Sequence, residues 1–300
     1  MGPALTARRH GPATPYGYGV RATLAAGALW VAAAGCSTSA APVPEHLSIY
    51  EATISAHTAR VWVYLNVHAP RAQTNILAEG ETNLSTGAFA LGVQAAGVTT
   101  NELLTRNGLY FQVPEGARAP SGGKAWAEVV FGKGPRNGLD AAPASALTDV
   151  DPVALISVLA APPERSVFVG RGIVAGQLDN EYRFDFRTAA LVGPARGTGG
   201  TMKGGVISLI AGLPHPRQAV LPVYVWLDRH GRAVQLLTSA TLETEPTKPS
   251  TLQAALANQL PASVSVRIDL RNFGERFRLE PPPVGEVARV PVSRLQAGLL

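Results

Sequence analysis

The 300-residue sequence contains one cysteine, Cys36. No disulfide can form within the chain, so an exported domain must stand on its own core. Lysine is nearly absent: Lys124, Lys133, Lys203 and Lys248 leave arginine to supply 22 of the 26 basic residues. With abundant Ala, Gly and Pro, this usage points to a high-GC bacterial gene. Charged residues make up only 16%, against 46% hydrophobic ones, which excludes a solvated coil. The six histidines (His10, His46, His57, His68, His215, His230) are nowhere three or four apart, so no local metal-ligand pair exists, and no G-x-S-x-G elbow occurs. Neither metal nor cofactor is expected.

The net charge of +5 invites a nucleic-acid reading, and its distribution argues against one. Arg8, Arg9 and Arg21 precede Cys36 in a stretch without acids; the remainder carries 23 basic and 21 acidic residues, hence +2. No basic run forms a phosphate-neutralising surface, so no nucleic-acid partner is expected.

What is present begins with a leader. The three arginines precede an apolar run, residues 22–34, shorter than the about 20 residues a membrane helix needs. The run ends in Ala33-Ala34-Gly35-Cys36 and then turns small and polar. Small residues before a cysteine resemble the lipobox of bacterial lipoproteins, with Ala33 where Leu is usual. This reading makes residues 1–35 a signal peptide and Cys36 a lipidated N-terminus. Residues 36–45 become the acylated cysteine and its Pro-containing tether, leaving 46–300 as one domain. Several acyl chains hold a protein stably at a membrane where one does so marginally. A secreted protein or an uncleaved anchor with an incidental Cys36 is the alternative.

Beyond residue 46 the period-2 signal dominates. Residues 60–67 place Val61, Val63, Leu65 and Val67 on one face, and 263–270 do the same with Val264, Val266, Ile268 and Leu270. Residues 182–187 alternate aromatic with charge. Each predicts a strand with one face in a core. Asn107-Gly108, Ser85-Thr86-Gly87 and Asp228-Arg229-His230-Gly231 punctuate successive strands as hairpin turns. Helices are few: Asp151-Pro152 caps and opens one over 153–160, stopped by Pro162-Pro163, and others are predicted over 47–55 and 206–213. The glycine-rich 193–205 reads as a loop. The expectation is an α+β fold: a large antiparallel sheet with a few short helices on one face.

Two catalytic patterns fail on context. Ser121-Gly122-Gly123-Lys124 matches S-x-x-K, but glycines replace the helix that would bring the lysine to the serine. Gly170-Arg171-Gly172 with Gly176 lacks the helix a dinucleotide fingerprint requires and reads as hairpin glycines. The chain is not expected to be an enzyme.

Three segments resemble actinobacterial envelope lipoproteins of the LppX/LprG group. They are Leu221–Arg232 with its Trp226-Leu227-Asp228 core, Val266–Gly274 followed by Pro281-Pro282-Pro283 and Glu286-Val287, and the helix at Asp151-Pro152 with the hairpin Gly170…Arg183. Tyr224 and the 193–205 stretch depart from the pattern. The resemblance implies a LolA-like half-barrel: a strongly curved antiparallel sheet whose concave face is covered by short helices, with an apolar cavity between that holds acylated lipid. The inward positions Val61, Val63, Leu65, Phe184, Phe186, Val223, Val225, Leu227, Val264, Val266 and Ile268 are its candidate lining. Bringing a diacyl lipid of about 30 methylenes bare into water costs on the order of 24 kcal/mol at ~0.8 kcal/mol per methylene. The implied role is a lipoprotein held on the extracytoplasmic face of the cytoplasmic membrane by acylated Cys36. It would bind a lipid or glycolipid and pass it to the outer envelope or a membrane exporter. A sensor or interaction module with the same sheet and no cargo is the alternative. Several hundred Å3 of apolar space would favour a carrier, a filled core the module.

Overall fold

A computed structural model describes residues 42–69, 72–95, 97–106, 108–113, 115–118, 121–130, 151–192, 219–242 and 262–291. The leader, Cys36, Asn107, the 193–205 stretch and the helix expected over 206–213 lie outside these residues.

The chain enters through α1 (His46–Ile54) and then builds a meander of six strands: β1 (Thr58–Ala69), β2 (Ala72–Asn83), β3 (Ala88–Ala95), β4 (Val98–Leu104), β5 (Leu109–Gln112) and β6 (Trp126–Val130). After α2 (Pro152–Ile156), which tightens into a 3-10 turn over Ser157–Ala160, a second meander follows. It comprises β7 (Arg165–Val174), β8 (Gln177–Arg187), β9 (Val220–Leu227), β10 (Ala233–Leu242) and β11 (Ala262–Arg271), with α3 (Thr188–Val192) between β8 and β9. The last strand, β12 (Val287–Pro291), closes the far edge. All belong to one open sheet of order β12-β6-β5-β4-β3-β2-β1-β11-β10-β9-β8-β7. The two meanders therefore join at a single seam, β1 against β11, from Arg60 opposite Arg271 to His68 opposite Ser263.

The expected strands and hairpins are present. Ser85-Thr86-Gly87 lies between β2 and β3, where the Asn83 side chain accepts from the N–H groups of Ser85 and Thr86. At 228–231, Asp228 accepts from the N–H groups of His230 (2.8 Å) and Arg232 (3.0 Å) and pairs with the Arg232 guanidinium. One pairing departs from the antiparallel expectation: β12 runs parallel to β6. The segment between β11 and β12 carries the chain from one end of the sheet to the other, so the last strand starts beside the first residues of β6.

The core lies on one face. Val61, Val63, Leu65 and Val67 are buried, as are Phe89 and Leu91 from β3, Phe184 and Phe186 from β8, and Val264 through Leu270 at alternate positions of β11. Ile49, Tyr50 and Thr53 of α1 and Leu155, Ile156, Val158 and Leu159 of the 152–160 segment cover them. Strands β2 and β3 approach closely at Gly80. A Cβ there would stand 2.0 Å from the Ala90 carbonyl oxygen, so β2 and β3 close in further than any side chain permits. The result is a curved, open α+β sheet with short helices on its concave side.

Candidate functional site

Among the described residues, a small apolar gap lies between the 152–160 segment and strands β9 to β11. Leu155 and Val158 form one wall; Leu221, Val223, Leu236, Thr238, Val266 and Ile268 form the other. The lining is almost wholly apolar, and the Thr238 hydroxyl is already spent on the Pro222 carbonyl at 2.9 Å. The volume is about 20 Å3. That is room for about one water, where drug-sized ligands occupy pockets of about 300 Å3 or more.

Local sequence explains the cover. Asp151 precedes Pro152 at the first helical position, and its carboxylate accepts from the N–H groups of Val153 (2.9 Å) and Ala154 (3.1 Å). Burial pushes this carboxyl up to about 6, against the two N–H bonds that favour its charged form. The helix does not run to Ala160 as an α-helix. The Ser157 hydroxyl donates to the Ala154 carbonyl at 2.6 Å, and the backbone tightens to 3-10 before Pro162. Four apolar side chains within five residues, Leu155 to Leu159, still face the sheet.

All eleven expected lining residues are buried on the concave face. Val223, Val266 and Ile268 border the gap; Val61, Val63, Leu65, Phe184, Phe186, Val225, Leu227 and Val264 are buried without bordering it. The gap is also bordered by Leu155, Val158, Leu221, Leu236, Leu237 and Thr238, which the sequence pattern did not single out. The helix residues were legible as an apolar stripe. The β10 positions were hidden by the register shift between Ala233 and Gln235, which breaks the alternation of that strand.

The remaining polar clusters hold the fold together. The Ser121 hydroxyl donates to the carbonyls of Arg118 and Lys124, while the Lys124 ammonium donates to the Gly285 carbonyl at 2.6 Å; serine and amine are engaged separately. His57 Nδ1 lies 2.8 Å from the Ser85 hydroxyl on an exposed turn, and that hydroxyl also reaches the Ile54 carbonyl. Among the described residues no carboxylate bonds the other ring nitrogen. None of them gather three His, Cys, Asp or Glu side chains in a metal-ligating cluster. No helix among them is long and apolar enough to cross a membrane.

No family profile and no curated protein matches the sequence. Among solved structures the chain is similar to the lipoprotein LppX of Mycobacterium tuberculosis, at 9% identity and a TM-score of 0.43, covering 78% of this chain and 98% of that one. It is also similar to LprF from Mycobacterium bovis, at 14% identity, 80% and 98% coverage and a TM-score of 0.38. The Pseudomonas aeruginosa MucA/MucB complex follows at 10% identity, 79% and 61% coverage and a TM-score of 0.30.

Proposed function

We propose that this chain is a non-enzymatic envelope lipoprotein, anchored through acylated Cys36 on the extracytoplasmic face of the cytoplasmic membrane. It binds the acyl part of a lipid or glycolipid against the concave face of the sheet and hands it onward, to the outer envelope or an exporter. What supports this reading is the continuous apolar concave face beneath a cover only two turns long. The gap itself, at about 20 Å3, falls short of the several hundred Å3 expected of a ready-made carrier cavity. It is too small for an acyl chain, so binding requires the 152–160 segment to move. Exposing Leu155, Ile156, Val158 and Leu159 costs about 1.5–3 kcal/mol each, roughly 6–12 kcal/mol together. Burying about 8–15 methylenes at ~0.8 kcal/mol each offsets that, which one ordinary fatty-acyl chain supplies.

The second reading, a sensor or interaction module without cargo, draws its support from the small volume of the same gap. Native mass spectrometry of the full chain, extracted from membranes in mild detergent, separates the two. The carrier reading expects one acyl ligand per chain, lost when Val223 and Ile268 are both replaced by Phe to fill the gap. A folded protein with no ligand, before and after exposure to envelope lipid extract, would overturn it in favour of the module. Cys36→Ala should shift the protein out of the acylated pool without altering the ligand.

A further inference from the structure

The β7–β8 hairpin ends in a tip that carries no charge of its own. Ile173 and Leu178 face each other across the pair and are 77% and 63% exposed. The turn between them uses left-handed backbone at Ala175 (φ 52°) and Gly176 (φ 83°). A two-residue turn of this kind selects Asn-Gly or Asp-Gly, whose first side chain tolerates that conformation. Here alanine takes it, so the tip forgoes a polar residue at a local conformational cost. Val284 and Val98 are also exposed, but each stands alone in a turn or at a strand end.

The surroundings of the tip are basic. Arg171 stands on the same face as Ile173, its Nε donating to Asn180 at 3.2 Å. Register places Asn180 beside Leu227, so the turn at 228–231 adjoins the hairpin and presents Arg229 and His230, both exposed. Of the acids there, Asp228 is paired with Arg232, Asp179 is 6% exposed with its carboxyl pushed up by burial and then by Asp228, and the half-buried Glu181 alternates onto the face opposite Leu178. Large aliphatic side chains flanked by cations match the interface of an anionic bilayer.

Chain length permits contact. The Thr53 hydroxyl near the end of α1 accepts from the N–H of Ala233, which follows that same turn. Eight residues of helix at about 1.5 Å each set Glu45 about 12 Å back from Thr53. Residues 37–45 add up to about 30 Å when extended at ~3.3 Å each.

We propose that the Ile173–Leu178 tip is a membrane-docking element that enters the interfacial layer of an anionic lipid surface beside the anchor. This extends the reading of an anchored lipoprotein, from which it takes the nearby membrane. A second copy of the chain is the competing occupant. The register shift in β7 between Phe168 and Gly170 disfavours that copy by bending the free edge.

Hydrogen–deuterium exchange of the full chain on vesicles of phosphatidylcholine with phosphatidylglycerol tests this. Amides at 173–178 should slow several-fold on these vesicles, while those of the β3–β4 turn at Gly97–Val98, at the opposite end of the sheet, should not change. The double variant Ile173→Ser, Leu178→Ser should keep the same melting temperature and lose the protection. Unchanged exchange at the tip, or protection that survives the double variant, would overturn the proposal. So would protection that grows with protein concentration without vesicles, which identifies a second copy. Equal protection on phosphatidylcholine alone would overturn the assignment to an anionic surface. The cargo measurement reads a ligand in detergent, so either reading can fail without the other.

Discussion

At the scale of single residues, two positions set how closely strands and cover can approach. At Gly80 strands β2 and β3 approach closely, and the obstacle to a side chain is the backbone carbonyl of Ala90, which cannot rotate away. Gly80→Ala should therefore destabilise by about 1–3 kcal/mol or more, as overpacking does, although alanine is ordinarily the mildest substitution for glycine. Urea titration reads this directly, and a neutral result would mean the sheet relaxes there without strain. Thr53 fastens α1 to the sheet. It is fully buried, donates to the Ile49 carbonyl at 2.7 Å, and its oxygen accepts from the N–H of Ala233 at 2.9 Å. Thr53→Val keeps the shape and strands that N–H, costing about 1–3 kcal/mol, whereas Thr53→Ser retains the acceptor and should cost less. Equal losses in the two variants would assign the effect to packing instead of the hydrogen bond.

At the scale of elements, the 152–160 segment joins stability to the proposed site. Asp151 caps it with two hydrogen bonds while buried enough to hold its carboxyl near 6, above the usual carboxylate value of 3.8. A raised value in the folded state means that folding favours the protonated form. The contribution is full below about pH 4 and is lost as pH rises through about 6. Asp151→Asn keeps an acceptor without the charge, so it should flatten that pH dependence and match or exceed the wild type at pH 7. Asp151→Ala removes the cap and should lose about 0.5–2 kcal/mol. Thermal melts across this window check both, and an Asn variant that retains the slope would place its origin at another group. The cap and the proline were legible in the sequence because their chemistry is local. So were the strands, since one buried face forces alternation. What the sequence left open was non-local. The parallel edge of β12 depends on where a long connection ends. The volume under the helix depends on how closely Leu155 and Val158 approach strands more than 60 residues later. Alternation identifies a buried side chain such as Val225 or Val223, but which of them borders a gap is decided by the layer above.

At the scale of the molecule, the pairing order makes the two meanders interdependent. The first strand pairs with β11, about 200 residues later, and this seam carries the alternating pairs Val61–Leu270, Val63–Ile268 and Leu65–Val266 into the core. Neither meander can keep its concave face dry alone. α1, from the N-terminal side, is tied to β10 through Ala233 and packs against the segment that precedes β7. Unfolding should therefore be a single transition across both halves. Trp126 in β6 and Trp226 in β9 lie on opposite sides of the seam, so variants in which Trp126 or Trp226 is the single tryptophan kept of the chain's four report on each meander separately. Their urea midpoints should coincide, and Ile268→Ala should lower both together, because a cavity at the seam removes contacts that each half needs. Midpoints that separate, or a shift confined to the Trp226 reporter, would show that the sheet is two independent layers sharing an edge. Such long-range pairing also sets the kinetics: with the seam closed only after the chain has looped back across most of its length, refolding should fall in the slow range of milliseconds to seconds or beyond, typical of non-local β topologies. Stopped-flow fluorescence of the same variants would detect it, and a microsecond phase that completes both signals would contradict the seam as the last contact to form.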